Sequence, residues 1–208
     1  EIYAQMKKHD KAFYMFMSVA GKKNGELQAE AWNRCGDMVL YYKRKPKKAL
    51  EMYKKALELT KKTDTDYVRC CRNVMECLAA LGRQQEALEY QQMAFESIRM
   101  ICGSLEKYLE NYYIRKSRLY EVGALFYYAG DLKNAKQFFD QIEGAPRCRH
   151  CNARICEDYW EAKGFLLEAE NKLPEALECF EEACRESKGN HLSIAKVEEL
   201  TKRLRRKR

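Results

Sequence analysis

No stretch of this chain approaches the ~20 consecutive apolar residues of a membrane span. Proline is scarce, at 3 of 208 residues, and glycine is held to 10. Long helices can therefore run without breakers, and low-complexity linkers are excluded. Histidine is as rare as proline: only His9, His150 and His191 occur. None stands in a nucleophile motif and no glycine-rich phosphate loop is present, so catalysis is not expected. The acidic residues fall at the spacings of wet helix faces with opposite-charge neighbours. The first residues, EIYAQMKKHDKAFYMF, are charged and amphipathic, and no basic patch with an apolar core follows. They do not read as a signal peptide, and the missing initiator Met suggests a piece of a longer protein.

What the chain does contain is 46% hydrophobic and 34% charged residues, a mix that fits helices with one wet face and excludes intrinsic disorder. Ten cysteines occur, mostly within helical stretches, where Cys behaves as a small buried hydrophobe. Their spacing is not that of a secreted disulfide framework, and a reducing cytoplasmic setting is the expectation. The net charge is +8, but Lys202, Arg203, Arg205, Arg206, Lys207 and Arg208 supply six of those charges. The remainder is near neutral, so nucleic acid is not the expected partner. The tail itself reads either as an anion-binding segment or as cations favoured at a helix C-terminus.

The chain repeats. Ala12, Ala49, Ala87, Ala135 and Ala176 each open a helix-period apolar run, at spacings of 37, 38, 48 and 41 residues. Four residues on stand Phe16, Tyr53, Gln91, Phe139 and Phe180; seven on stand Val19, Ala56, Ala94, Ile142 and Ala183. Offsets of four and seven share one helix face. Gly123 and Gly164 precede their alanines by twelve residues and Gly36 precedes its own by thirteen, while Met75 takes the glycine's place in the second repeat. Trp32 and Trp160 each stand four before their glycine.

The segments AEAWNRCGDMVLYY with KALEMYKKALEL, and YWEAKGFLLEA with EALECFEEA, resemble the tetratricopeptide repeat (TPR) family. The resemblance runs over nearly the whole chain and implies an all-α fold, an α-α superhelix or right-handed solenoid of antiparallel helical hairpins. Residues 1–20 read as the end of one first helix plus a full second helix from Lys11 to Ala20. Four hairpins follow at 27–60, 66–100, 104–142 and 153–187, the third with an unusually long first helix. A capping helix, 190–206, opens at Asn190 and carries an apolar stripe of Ile194, Val197, Leu200 and Leu204, as the last face of an array requires. The whole is read as one repeat domain. Ser104 is a candidate helix cap.

The resemblance implies a partner-binding role for a concave groove lined by the first helices. Residues off the core stripe there are Asn33, Asp37 and Tyr41; Arg69, Arg72, Asn73 and Glu76; Tyr120, Ala124 and Tyr127; and Asp158, Glu161, Phe165 and Glu168. Tyr120 and Tyr127 stand out, and the alternative is that these side chains form a merely solvated face. TPR domains that grip acidic chaperone C-termini use Asn where this chain has Asp37 and Glu76, so that subtype is disfavoured: two carboxylates repel a third. The expected function is a non-enzymatic scaffold taking a protein or peptide ligand. The alternative is a peptide-responsive regulatory domain gating an attached effector; a metal-stabilised nucleic-acid module ranks behind both.

One stretch has metal-ligand spacing. In CRHCNARIC, Cys148, Cys151 and Cys156 lie together with His150, and tetrahedral zinc wants four such ligands. The competing reading makes Cys151 and Cys156 helical core and Cys148 an exposed thiol. No cofactor is otherwise expected. Cys70, Cys71, Cys179 and Cys184 read as packing residues.

Overall fold

The computed structural model describes residues 2–22, 25–111, 114–144, 157–186 and 191–206. Among them every regular element is helical and no strand occurs. The chain divides into two compact units, Glu1–Gly103 and Ser104–Arg208, where the sequence reading treats it as one run.

The N-terminal unit holds α1 (Ile2–Ala20), α2 (Gly25–Asp37), a π-helical turn (Met38–Tyr42), α3 (Pro46–Leu59), α4 (Thr65–Ala80) and α5 (Gln84–Cys102). The C-terminal unit holds α6 (Leu105–Leu109), α7 (Arg115–Tyr128), α8 (Leu132–Gly144), α9 (Glu157–Ala169), α10 (Leu173–Glu186) and α11 (His191–Arg206). In each unit the densest packing joins consecutive helices: α2 with α3 and α4 with α5, then α7 with α8 and α9 with α10. These are the four hairpins.

The hairpins close on a shared device. The residue five before each marker alanine has a positive φ: Arg44 (53°), Gly82 (71°), Gly130 (84°) and Asn171 (59°). A left-handed residue reverses the chain after one helix and delivers the cap of the next. Glycine and asparagine take that conformation readily; Arg44 does so at a steric cost of roughly 1–2 kcal/mol. Starts are then fixed locally. Pro46 occupies the first position of α3, where no N–H is needed. The Asp64 carboxylate accepts from the Asp66 amide at 3.0 Å, the Ser104 hydroxyl from Lys107 at 3.2 Å, and the Asp131 carboxylate from Asn134 at 3.0 Å.

The small-residue markers are where helices meet. A Cβ added to Gly36, Gly123 or Gly164 would fall within 3.0 Å of the ring of Tyr53, Phe139 or Phe180 respectively. The ring four residues past the marker thus lies against the glycine of the preceding helix, and the marker alanines Ala49, Ala87, Ala135 and Ala176 are fully buried. The second hairpin exchanges the two sizes. Met75 is buried where the others have glycine, and Gln91 stands where they have a ring. Bulk moves from one helix to the other, which keeps the interior volume filled.

Four boundaries differ from the sequence reading. Residues 2–20 are one continuous helix, α1, with no turn near Lys11. The extra residue between Gly36 and Ala49 is absorbed by the π-helical turn, in which the Lys43 amide reaches back five residues to Met38 O at 3.3 Å. Gly36 thereby still meets Tyr53. The long first helix of the third repeat is two helices: α6 ends at Leu109 and α7 starts at Arg115. In α11 the fully buried residues are Leu192, Ser193, Ala195 and Leu200, so the buried stripe is rotated: Ile194, Val197 and Leu204 are only half-buried.

Candidate functional site

Asn33, Asp37 and Tyr41 descend from α2 into the π-helical turn, and Arg69, Arg72, Asn73 and Glu76 lie on α4 beside them. A ladder of polar contacts joins the two helices. Arg69 Nη2 donates to Glu30 Oε2 at 2.7 Å. Asn33 Nδ2 donates to Cys70 Sγ at 3.2 Å, and Asn73 Nδ2 to Asn33 Oδ1 at 3.4 Å. The Tyr41 hydroxyl donates to Glu76 at 2.8 Å, while Tyr53 of α3 donates to Asp37 at 2.8 Å. Arg72 reaches Asn73 Oδ1 at 3.3 Å. The spacing selects side chains of the inner faces, but they serve one another first. Asn33 and Asn73 are buried, so neither is a free groove residue. Asp37 and Glu76, which disfavour an acidic ligand, are each engaged by a tyrosine.

The C-terminal unit repeats the ladder between α7, α9 and α11. Ser117 donates to Asp158 at 2.9 Å. Tyr127 packs on Phe165 with ring centroids 4.7 Å apart. Ser193 of α11 donates to Glu161 at 2.6 Å, and Lys196 and Arg203 of α11 pair with Glu168 at 2.9 and 2.8 Å. Tyr120, Ala124, Glu161 and Phe165 are buried, which corrects their expected exposure to a partner. Tyr120 stacks on Phe139, 6.0 Å away, and its hydroxyl bonds Glu161. Tyr127 is half-buried, and burial pushes its hydroxyl well above the usual phenol range. The capping helix therefore takes up Glu161, Phe165 and Glu168 of the α9 positions read as groove.

Glu161 is the unusual group there. It is a carboxyl with 3% of its surface exposed, and burial pushes its pKa up to about 7 against the help of the Ser193 and Tyr120 hydroxyls. Nearby Asp158 and Glu157 push the same way.

An open cavity lies in the N-terminal unit. It holds about 390 Å³ between α2, the α3–α4 turn and the first turn of α4. Its polar lining includes Glu30, Asn33, Asp64 and Arg69, and its apolar lining is Leu27, Ala29 and Leu59. Leu27 is 60% exposed and Leu59 40%. Arg69 is held from two sides, by Glu30 and by Asp66 Oδ1 at 3.1 Å, yet its Nε is buried with no partner among the described residues. Sequence reasoning located Asn33 and Arg69 but missed the two leucines and Asp64. Leu27 and Leu59 fall off the core stripes, which is the signal that could have found them.

Five of the described cysteines have their thiols held in the protonated form. Burial raises the thiol pKa of Cys35 to about 11 and also raises those of Cys70, Cys77, Cys179 and Cys184. Cys148, Cys151 and Cys156, with His150, lie outside the described residues. Among the described residues no three His, Cys, Asp or Glu side chains are placed to hold a metal, and no helix is long and apolar enough to cross a membrane.

No protein-family model and no curated protein matches the chain.

Proposed function

We propose that this chain is a non-enzymatic helical-hairpin scaffold of the tetratricopeptide type that binds a segment of another protein, and that it works in the cytoplasm. The observation that carries the reading is the 390 Å³ cavity beside α2, rimmed by two leucines that the fold leaves 60% and 40% exposed. Exposed leucines around a concavity with a few polar groups suit a partner side chain. The cavity also lies at one end of the α2–α4 ladder, on the face that the resemblance to tetratricopeptide repeats implies for ligands. Raised thiol pKa values at Cys35, Cys70, Cys77 and Cys179 speak for packing, and against a nucleophile at those positions.

The test is an array of diverse 8-residue peptides, read with the intact chain and with a Leu27→Asp, Leu59→Asp variant. Both sites are exposed, so the variant should keep its helicity and melting behaviour. A set of peptides bound by the parent chain and lost in the variant is the expected result. Peptides that bind both proteins equally would place binding elsewhere and end this reading.

A further inference from the structure

The cavity beside α2 asks three things of an occupant, and they are of different chemical kinds. The rim of Leu27, Ala29 and Leu59 asks for an apolar side chain. The buried Arg69 Nε–H asks for an acceptor oxygen. A buried donor left unpaired costs free energy that a ligand oxygen recovers.

The third demand is for positive charge. Glu30, Asp64 and Asp66 outnumber Lys61 and Arg69 along the lining. The surplus can be localised. Glu30 is shared by Arg34 at 2.7 Å and Arg69 at 2.7 Å, and Asp66 pairs with Arg69 at 3.1 Å. The Asp64 carboxylate accepts from the Asp66 backbone amide and pairs with no cation among the described residues. Lys61, three residues earlier, is exposed at the rim.

We propose that the cavity binds an extended peptide in which a large apolar residue neighbours a Lys or Arg, the apolar side chain lying against Leu27 and Leu59, a backbone carbonyl on Arg69 Nε and the cation on Asp64. This rests on the scaffold reading above and names its ligand class. A peptide supplies all three groups within two or three residues. An acidic peptide supplies the oxygen but meets Asp64, and a small organic cation lacks the carbonyl.

The experiment uses the intact chain and fluorescent, end-capped 8-residue peptides with one central apolar–basic pair, titrated at low and high salt. Matched peptides replace the basic residue by Gln or Glu, or the apolar residue by Ser. Asp64→Asn is the decisive variant, because Asn caps a helix as well as Asp does and only the charge is removed. Binding of the basic peptide should weaken about threefold in Asp64→Asn and lose much of its salt dependence, as for an exposed ion pair. Lys61→Ala should strengthen it slightly, and Leu27→Asp with Leu59→Asp should weaken it by roughly tenfold or more. If peptides lose binding in the leucine variant but show no preference for a basic residue and no change in Asp64→Asn, the ligand class is overturned and the scaffold reading stands. If the leucine variant binds them as the parent does, both fall.

Discussion

At the residue scale, Glu161 has the clearest consequence. It sits in α9 with Tyr120 of α7 and Ser193 of α11 as hydroxyl partners, and burial raises its pKa to about 7. The unfolded carboxyl titrates near its ordinary value of 4.5. The native state therefore favours the protonated form. The resulting stabilisation is fully present below pH 4.5, declines as the pH climbs, and is gone above about 7. The span is on the order of 3 kcal/mol. Glu161→Gln keeps the shape and an acceptor for Ser193 but has no proton to lose. Urea titrations at pH 5 and pH 8 should show the variant gaining on the parent chain by about 2–3 kcal/mol between the two. Parallel behaviour at both values would mean that water reaches the carboxyl. Tyr120 shows the same lesson about chemistry on a helix face. An aromatic at that spacing fits a groove as well as a core, and the Glu161 carboxyl and the Phe139 ring on neighbouring helices draw it inward.

At the element scale, the π-helical turn at Met38–Tyr42 turns a thirteen-residue interval into one that works like twelve. Deleting Leu40 should let α2 run on as ordinary α-helix into the Lys43–Lys45 turn, with Gly36 still under Tyr53. Deleting Ala124 from the regular α7 would rotate the rest of that helix by ~100° and take Leu125 and Tyr128 off the core face. Thermal melts followed by circular dichroism should show the first deletion lowering the midpoint by several degrees and the second abolishing the cooperative transition of the C-terminal unit. Equal losses would show that the turn has a role beyond register. The sequence carries the insertion plainly as a spacing, but a spacing does not say whether a loop, a bulge or a shifted turn takes it up. That choice follows from the close fit of Tyr53 against Gly36, which fixes the pairing of α2 with α3. The break between α6 and α7 was hidden for a similar reason. No proline or glycine marks it, and Asn111 is the only strong breaker nearby.

At the scale of the whole molecule, each unit has its own hairpins and buried side chains. Tyr53, Met75, Leu78 and Ile98 fill the first, and Leu125, Ile142, Phe165 and Phe180 the second. Chains cut between Gly103 and Ser104 should each fold, giving helical spectra and cooperative melts, because about 100 residues suffice for a core. Two fragments without cooperative transitions would show that the units depend on each other. Reading one domain from the sequence was natural, since the marker series runs unbroken from Ala12 to Ala176 and periodicity carries no signal for a division into compact units.

The sequence alone determined the hairpins, because apolar spacing, marker alanines and their paired glycines and rings are local requirements of close helix packing. Gly36, Gly123 and Gly164 and the rings Tyr53, Phe139 and Phe180 recur at regular offsets in the sequence, and the structure sets each ring against its glycine. The sequence also placed the candidate groove residues off the core stripe of the first helices. Only the tertiary structure decided what those residues do. Asn33, Glu161 and Phe165 are buried by neighbouring helices, α11 covers Glu168, and a cavity beside Leu27 and Leu59 is left open. The reason is physical: helical period places a side chain on a face, but its exposure depends on which element packs there, and that is settled by contacts some 35 to 40 residues away along the chain.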